Sequence, residues 1–267
     1  MKCFILPRGP DGDGRIRLSG EDYHYLVRVR RFAPGETFPA LLPGGEETLV
    51  RVLSVDRGIL TGKCAPAAAA APAVPDLPPI ILFQALPKAG KMDLIVRQAA
   101  EGAVTEIVPF AAEHSIPASG GEGAGNANRP RRWERIIREA RQQSGSRTAT
   151  TLRPPLDLTG LFEYWESLKT RYPKALGLLF HQTPLAQASL HGYLSSNPEI
   201  VVLTIGPEGG FSPGEVSRFL SAGFKPLTIG DTVLRTETAA LYGAAAIRII
   251  LLENTSWLPN IPPLGNG

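Results

Sequence analysis

A polar stretch at residues 227–239 holds the side chains with the clearest capacity for chemistry. Arg235 and Glu237 stand there among small and apolar neighbours. A carboxylate can accept a proton and a guanidinium can stabilise an anion. If they are buried, both must be paired or serve such chemistry. An ordinary salt bridge, or a carboxylate at the N-terminus of a final helix, explains the same pattern. The residue types leave these interpretations open.

A second stretch, 204–215, follows an apolar run directly and is rich in glycine. Gly206, Pro207, Gly209 and Gly210 predict a sharp loop after a strand, where exposed amides can approach a ligand closely. Ligands usually bind at this edge of an open α/β sheet. A tight strand-to-helix turn would use the same residues, so the spacing does not decide between a ligand loop and a simple turn.

The residues after these glycines have a local structural explanation. Ser212 is a good N-cap, Pro213 suits the first helical position, and Glu215 completes a capping box. Gly223 then predicts the end of that helix. We therefore interpret Ser212, Pro213 and Glu215 as structural residues.

Several familiar catalytic and binding motifs are missing from the sequence. It has no G-x-G-x-x-G after a strand, no G-x-x-x-x-G-K-[ST] phosphate loop and no G-x-S-x-G elbow. The four histidines show no metal-ligand spacing, and we expect no metal site. The two cysteines, Cys3 and Cys64, exclude a disulfide scaffold and a multi-cysteine zinc site.

The elements that must position these residues alternate along the C-terminal part of the chain. Apolar runs predict strands at 80–86, 106–110, 176–180, 200–205 and 226–229. Helical periodicity predicts helices at 91–103, 130–144 and 237–252. Strands that alternate with helices favour a parallel α/β sheet.

The first part of the chain has a different pattern. Short runs at 16–18, 37–42, 49–55 and 59–62, separated by turn residues, predict a small β-barrel or sandwich. Residues 23–31 form a basic, aromatic segment that we predict as one helix. An alanine- and proline-rich stretch follows and is typical of a semi-rigid linker. We therefore predict domains at 1–72 and 80–267 with a linker at 73–79.

Composition and charge restrict the class of protein. The 267 residues are 43% hydrophobic and 20% charged, which is typical of a globular chain. No apolar run approaches the ~20 residues of a membrane span, and we expect a cytoplasmic protein. The net charge is +3, yet residues 129–153 contain eight arginines and two glutamates. This concentration fits a phosphate-binding face or a solvated helix exterior, and a second cluster at Arg28, Arg30 and Arg31 favours nucleic acid.

The two C-terminal stretches together resemble a known family. The run Gly-Pro-Glu-Gly-Gly-Phe-Ser at 206–212, followed by Leu-Arg-Thr-Glu-Thr-Ala at 234–239, is similar to the signature of the RsmE family. These are SPOUT methyltransferases that methylate N3 of a uridine in small-subunit ribosomal RNA. The resemblance spans about 80–252 and continues upstream through Lys91-Met92-Asp93 and Gln143-Ser144-Gly145. His114 stands where the family usually has arginine.

The resemblance implies features of the α/β fold that composition and periodicity do not predict. It implies a SPOUT-type parallel sheet with a C-terminal trefoil knot, and a PUA-like β-barrel that binds RNA at 1–72. S-adenosylmethionine would bind among three loops, at 180–183, 205–210 and 227–239. The implied cofactor-binding residues are Phe180, His181, Ile205, Gly206, Pro207, Glu208, Gly209, Leu227, Ile229, Gly230, Val233, Leu234, Thr238 and Ala239.

The resemblance also implies roles for charged residues and for partners. Arg235 would stabilise the anion that develops on the uracil, while Glu237 would accept the N3 proton or orient Arg235. The implied RNA-binding residues are Arg8, Arg28, Arg30, Arg31, Arg131, Arg135 and Arg147. The partners would be small-subunit ribosomal RNA, or the assembled subunit, and a second copy of the chain. A SPOUT enzyme with another base or ribose target, and a non-catalytic assembly protein, stay as alternatives.

Overall fold

The computed structural model describes residues 3–66, 77–88, 90–115, 129–182, 185, 187–228 and 230–255. The chain divides into two compact units. One comprises Met1–Ala73 with Arg141–Ala149, and the other comprises Val74–Ala140 with Thr150–Gly267. The sequence analysis places 141–149 in the C-terminal domain, whereas the contacts of this segment group it with the N-terminal unit. Most of the predicted linker at 73–79 lies outside the described residues.

The N-terminal unit is built on a five-stranded mixed sheet that curls into a half-barrel. Its strands lie side by side in the order β1 (Phe4–Ile5), β3 (Thr37–Leu41), β4 (Glu47–Asp56), β5 (Ile59–Pro66) and β2 (Arg15–Ser19). β1 pairs with β3 in parallel, and the other pairs are antiparallel. Buried and exposed residues alternate, as at Ile16 and Leu18, so that one face of the sheet covers a core of its own.

The basic segment at 23–31 does not form the single helix that was predicted for it. A short helix, α1 (Gly20–Tyr23), continues into a π-helical turn over His24–Val29. The wider turn places Leu26 in the core and leaves Val29 exposed. Arg31 then reverses the chain with a positive φ of 61°. A helical periodicity of 3.6 residues does not describe this segment because its hydrogen bonds span one residue more.

The C-terminal unit is built on a six-stranded sheet in which every pair is parallel. Its strands are β6 (Ile80–Ala85), β7 (Glu106–Phe110), β8 (Thr151–Leu152), β9 (Ala175–Phe180), β10 (Ile200–Ile205) and β11 (Lys225–Leu227). They lie in the order β11-β9-β10-β6-β7-β8. Every residue of β6 and of β10 is buried, as expected for central strands covered on both faces. The predicted parallel α/β sheet is confirmed.

Helices cover both faces of this sheet. They are α2 (Lys91–Glu101), α3 (Arg129–Ser144), α4 (Leu158–Arg171), α5 (Leu190–Leu194), α6 (Pro213–Ser221) and α7 (Thr236–Glu253). Residues of α2, α3, α5 and α7 share one apolar core, and residues of α4 and α6 share the core on the opposite face. The sequence analysis did not predict α4 or α5. α4 begins at an Asp157 N-cap and buries Trp165.

The capping box that starts α6 is present as predicted. Ser212 Oγ accepts the Glu215 N–H at 3.3 Å, and Glu215 Oε2 accepts the Ser212 N–H at 2.9 Å. The other oxygen, Oε1, accepts the Glu113 N–H at 2.8 Å. The buried Glu215 carboxylate therefore joins the start of α6 to the chain beyond β7. Within the described residues, no helix is long and apolar enough to cross a bilayer.

Candidate functional site

A cavity of about 190 Å³ lies at the carboxyl ends of β9, β10 and β11. Three loops form its walls, one after each strand, and the first turn of α7 closes it. The lining residues are Phe180, His181, Gln182, Ile205, Gly206, Pro207, Gly210, Phe211, Thr228, Gly230, Asp231, Thr232, Val233, Leu234 and Ala239. This edge of a parallel sheet is where ligands usually bind.

Hydrogen bonds hold the loop after β9 against the loop after β11. The His181 N–H donates to Leu227 O at 3.1 Å, and Thr228 Oγ1 donates to His181 O at 3.0 Å. The Gln187 side chain bonds both backbone groups of Thr228: Oε1 accepts the N–H at 2.7 Å and Nε2 donates to the carbonyl at 3.2 Å. These bonds satisfy backbone groups that leave the sheet and fix two walls of the cavity together.

The glycine loop after β10 is tight at two places. Gly210 has a φ of +71°, which a residue with a Cβ rarely adopts, and its N–H donates to Pro207 O at 2.9 Å. A Cβ on Gly209 would lie 3.0 Å from the Cβ of His114. His114 Nδ1 in turn lies 3.1 Å from Gly210 O, within hydrogen-bond distance. The loop is therefore shaped by its own turn and by the close approach of the chain after β7.

The start of α7 is tied to the glycine loop and to β6. Thr236 Oγ1 donates to Gly206 O at 2.7 Å and accepts from Gln84 Nε2 at 3.0 Å. Gln84 is fully buried in β6, and its Nε2 also donates to Ala85 O at 2.9 Å. Three chain segments thus meet at one hydroxyl beside the cavity.

The cavity brings together most of the side chains that the resemblance implied for cofactor binding. Those that line it are Phe180, His181, Ile205, Gly206, Pro207, Gly230, Val233, Leu234 and Ala239. Glu208, Gly209 and Thr238 are sequence neighbours of lining residues but do not line the cavity themselves. Leu227 is buried in the core. Ile229 lies outside the described residues.

Six further lining residues were not among those that the resemblance implied for cofactor binding. They are Gln182, Gly210, Phe211, Thr228, Asp231 and Thr232. All except Phe211 fall within the three loops that the resemblance implied, so the loop boundaries predicted their position at the site. Phe211 belongs to the glycine motif and directly precedes the Ser212 cap, and it forms part of the cavity wall.

Arg235 and Glu237 are separated by the structure into different environments. Arg235 is the N-cap residue of α7 and is exposed. Glu237 lies in the first turn, with 14% of its side chain exposed, and its Oε2 is 3.6 Å from Lys91 Nζ. Lys91 Nζ is also 2.9 Å from Glu208 Oε1. Within the described part of the chain, the ionic partner of Glu237 is therefore Lys91 rather than Arg235.

The Lys91–Glu208 ion pair shifts the titration of both groups. The hydrogen bond to Glu208 raises the pKa of Lys91 above its ordinary 10.5, although partial burial opposes this. Partial burial would raise the pKa of Glu208, but the hydrogen bond from Lys91 and bonds from backbone N–H groups outweigh it. The pKa of Glu208 consequently lies below its ordinary 4.5, and both groups are charged at neutral pH.

The arginines that the resemblance implied for RNA binding differ in accessibility. Those that are exposed are Arg8, Arg28, Arg30, Arg31, Arg131 and Arg135. Arg135 Nε lies 3.7 Å from Glu139 Oε1 one turn along α3. Arg147 is half-buried, and its Nε donates to Glu47 Oε1 at 2.9 Å within the N-terminal unit. Arg147 is therefore already paired with a protein carboxylate.

No group of three metal-ligating side chains occurs within the described residues. The lining residues instead offer backbone amides and carbonyls, hydroxyls, the Asp231 carboxylate and the polar side chains of His181 and Gln182. Such a set suits a polar organic ligand with an apolar part, since the walls also include Phe180, Ile205 and Leu234.

Comparisons with known proteins agree on one family. A family profile described as an RNA methyltransferase domain matches residues 75–248. A Synechocystis protein named Ribosomal RNA small subunit methyltransferase E is 30% identical over 241 residues, which cover 90% of this chain and 74% of that protein.

Two solved structures share the fold. Ribosomal RNA small subunit methyltransferase E from Neisseria gonorrhoeae, bound to S-adenosylmethionine, is 24% identical with a TM-score of 0.74, covering 94% of this chain and 98% of that chain. A candidate methyltransferase from Legionella pneumophila, in complex with the same cofactor, is 25% identical with a TM-score of 0.74, covering 93% and 97%.

We predict that the Lys91–Glu208 pair stabilises the fold within a limited pH range. Lys91→Met should lower the free energy of unfolding at neutral pH by roughly 0.2–1 kcal/mol, as for other solvent-screened pairs. The contribution of Glu208 is present above its unfolded pKa and is lost as pH falls through the lowered folded pKa. The contribution of Lys91 is present below its unfolded pKa and is lost as pH rises through the raised one. Urea unfolding of both proteins measures this difference.

The wild-type and variant curves should therefore converge toward about pH 3 and toward about pH 11. Lys88→Met is the matched control, because Glu208 accepts the Lys88 backbone N–H and that bond survives the substitution. A difference that stays constant across the whole pH range would contradict the prediction.

Proposed function

Because the chain belongs to the ribosomal RNA small subunit methyltransferase E (RsmE) family, we propose that it methylates N3 of a uridine in small-subunit ribosomal RNA. The methyl donor is S-adenosylmethionine. The observation that supports this most directly is the cavity at the ends of β9, β10 and β11, since both signature stretches contribute to its walls. Such a substrate implies work in the cytoplasm, where ribosomal subunits are found.

The residues of the cavity fit the donor. Phe180, Ile205 and Leu234 would offer apolar surface to a purine ring, and the backbone groups of the glycine loop would bind its polar edge. The Asp231 carboxylate and the Thr232 hydroxyl would bind the amino and hydroxyl groups of the donor. When bound, S-adenosylmethionine supplies an activated methyl group with a good leaving group, so that the protein chiefly positions the reactants.

Arg235 and Glu237 would act on the uracil base. N3 of uridine carries a proton at neutral pH, and that proton must leave for the nitrogen to attack the methyl carbon. Arg235 is exposed beside the cavity and would stabilise the negative charge that develops toward O2 or O4. Glu237 would accept the proton. Its ion pair with Lys91 supports this role over that of orienting Arg235.

The exposed arginines would bind the phosphate backbone of the RNA. Arg131 and Arg135 lie on α3, and Arg28, Arg30 and Arg31 lie at the π-helical turn of the N-terminal unit. We assign RNA binding to the N-terminal half-barrel at 1–72 and methyl transfer to 80–267. Arg147 would contribute by holding the Gln143–Arg147 region against Glu47 rather than by a direct contact.

A second copy of the chain would cover an apolar surface on α2 and α7. A groove of about 170 Å³ between these helices is lined almost entirely by apolar side chains, among them Ile95, Leu241 and Ile249. Tyr242 and Ile249 are each 54% exposed, which is unusual for large apolar residues of a monomer. We expect a homodimer in sedimentation velocity at micromolar concentration, and a monomer there would contradict this assignment.

The trefoil knot of the family is also part of the proposal. β11 lies at the edge beside β9, yet α7 directly after it packs against β6, β10 and α2. The chain must therefore pass the loops after β9 and β10 to reach α7. The hydrogen bonds of Thr228 to His181 and Gln187 hold the loop after β11 against the loop after β9 at this crossing.

Mass spectrometry of nucleosides tests the proposed function. The full chain is incubated with methyl-labelled S-adenosylmethionine and small ribosomal subunits that lack their native modification. Labelled N3-methyluridine is the expected product. Label in another nucleoside would reject the N3 assignment, and an absence of both label and donor binding would favour a non-catalytic assembly protein.

We predict that Arg235→Ala separates turnover from donor binding. kcat should fall by about 100-fold or more, as when a single donor to a developing anion is removed. The donor Kd should stay within a factor of about two, since Arg235 does not line the cavity. Single-turnover methyl transfer and calorimetry measure the two quantities, and Arg235→Lys is the control that keeps the charge. Equal losses of turnover and donor affinity would make Arg235 a donor-binding residue.

We also predict that α3 contributes to RNA binding through charge. Arg131→Glu combined with Arg135→Glu should weaken RNA binding and reduce the slope of log K against log salt by about 2, or about 1 for each arginine. Filter binding across a salt series measures the slope. Lys169→Glu with Arg171→Glu on α4 makes the same change of charge and serves as the control. If the slope is unchanged, α3 is an ordinary solvated helix.

A further inference from the structure

Three segments of the C-terminal unit meet at a cluster of charged side chains beside the cavity. Lys91 is the first residue of α2, Glu208 lies in the glycine loop, and Glu237 lies in the first turn of α7. Lys91 Nζ lies 2.9 Å from Glu208 Oε1 and 3.6 Å from Glu237 Oε2. One cation therefore serves two carboxylates, and the cluster has a net negative charge.

Glu237 is the member of the cluster with the fewest hydrogen bonds. Its Oε2 is buried and accepts no hydrogen bond within the described residues. A buried carboxylate oxygen without a donor is costly unless charge nearby compensates it. Lys91 supplies that charge at 3.6 Å, and the positive end of the α7 dipole adds to it because Glu237 lies in the first turn.

The position of Glu237 is fixed by its neighbour. The Thr236 hydroxyl bonds to Gly206 O at 2.7 Å and to Gln84 Nε2 at 3.0 Å, so α7 begins at a set point on the glycine loop. Ala239, two residues after Glu237, lines the cavity. Glu237 does not line the cavity itself, but it lies on the turn of α7 between Thr236, which bonds to the glycine loop, and Ala239, which lines the cavity.

We propose that Lys91 is a positioning residue for methyl transfer, which holds the Glu237 carboxylate in place to accept the N3 proton. This inference rests on the proposed function. In the step, the N3–H bond breaks and its proton goes to Glu237. The freed electron pair forms the N3–methyl bond, and the sulfonium takes up the electrons of the methyl–sulfur bond to become a thioether.

Lys91 suits this role better than Arg235 because it has a second carboxylate. When Glu237 takes the proton and loses its charge, Glu208 at 2.9 Å continues to hold the ammonium. The charged groups at Glu237 in the described residues are Lys91 from α2 and, through that same ammonium, Glu208 from the glycine loop. Gln84 and Thr236 nearby are neutral.

The test compares Lys91→Met and Lys91→Gln with Lys91→Arg, each alone and in a Glu237→Gln background. The readouts are the single-turnover rate and the donor Kd. Without the ammonium, the Glu237 carboxylate loses the ionic partner that holds it in place. At neutral pH the rate should fall at least tenfold, part of the roughly 100-fold or more that a general base contributes.

Four results are expected together. Donor Kd stays within about twofold, Lys91→Arg recovers most of the rate, Lys88→Met behaves as wild type, and Lys91→Met causes no further loss in the Glu237→Gln background. Additive losses in that background, or a failure of Lys91→Arg to recover the rate, would overturn the proposal. A parallel loss of donor affinity would make Lys91 a donor-binding residue instead.

Failure of the proposed function gives a different result. In that case the wild-type chain transfers no methyl group to N3 of uridine, whatever the donor Kd, and the positioning role of Lys91 falls with it. If wild type is active and the Lys91 variants keep its rate, the positioning role alone is rejected. If Lys91→Met does not fold, Lys91→Gln serves for the same test, because it keeps a polar side chain at this position.

Discussion

Every residue of β6 and of β10 is buried, and a strand in that position must pair its backbone with neighbours on both sides. The neighbours here are parallel, so all six carboxyl ends lie at one edge of the sheet. The chain leaves the sheet there with unpaired backbone groups, and the loops after β9 and β11 satisfy one another through His181, Gln187 and Thr228. The cavity is the space that these mutually bonded loops enclose.

The same constraint explains an unusual polar residue in the middle of the core. Gln84 is fully buried in β6, and its amide donates both to Ala85 O and to the Thr236 hydroxyl. The Thr236 hydroxyl in turn donates a hydrogen bond to Gly206 O. This short buried network fixes the amide nitrogen and the hydroxyl, because breaking either bond strands a polar group at low dielectric, whereas Gln84 Oε1 accepts no hydrogen bond within the described residues. It sets where α7 begins relative to the glycine loop.

Electrostatics then differentiate the two charged residues of the second signature stretch. Arg235 ends the loop and is exposed, whereas Glu237 turns into the unit and meets Lys91. They are two residues apart, a spacing at which side chains on a helix point in different directions. A donor with an activated methyl group needs little covalent help from the protein. In the proposed reaction, the protein must orient the base, stabilise charge on it and remove one proton, and these tasks call for groups in separate places.

The sequence by itself determined the elements whose signals are local. Apolar runs predicted the strands around the cavity, and the capping residues Ser212, Pro213 and Glu215 predicted the start of α6. The glycines at 206–210 located the loop after β10, the polar stretch at 227–239 located the loop after β11, and the resemblance to the RsmE family added the third. The π-helical turn at His24–Val29 was not predicted because it does not follow the usual helical period. The helix α4 was missed although it has local signals, namely the Asp157 N-cap and the helical spacing of Leu161, Trp165 and Leu168. Tertiary structure alone decided that Glu237 pairs with Lys91, about 150 residues away along the chain, and that Arg147 pairs with Glu47. Contacts of that kind are set by the packing of whole elements, which leave no periodic trace in the sequence.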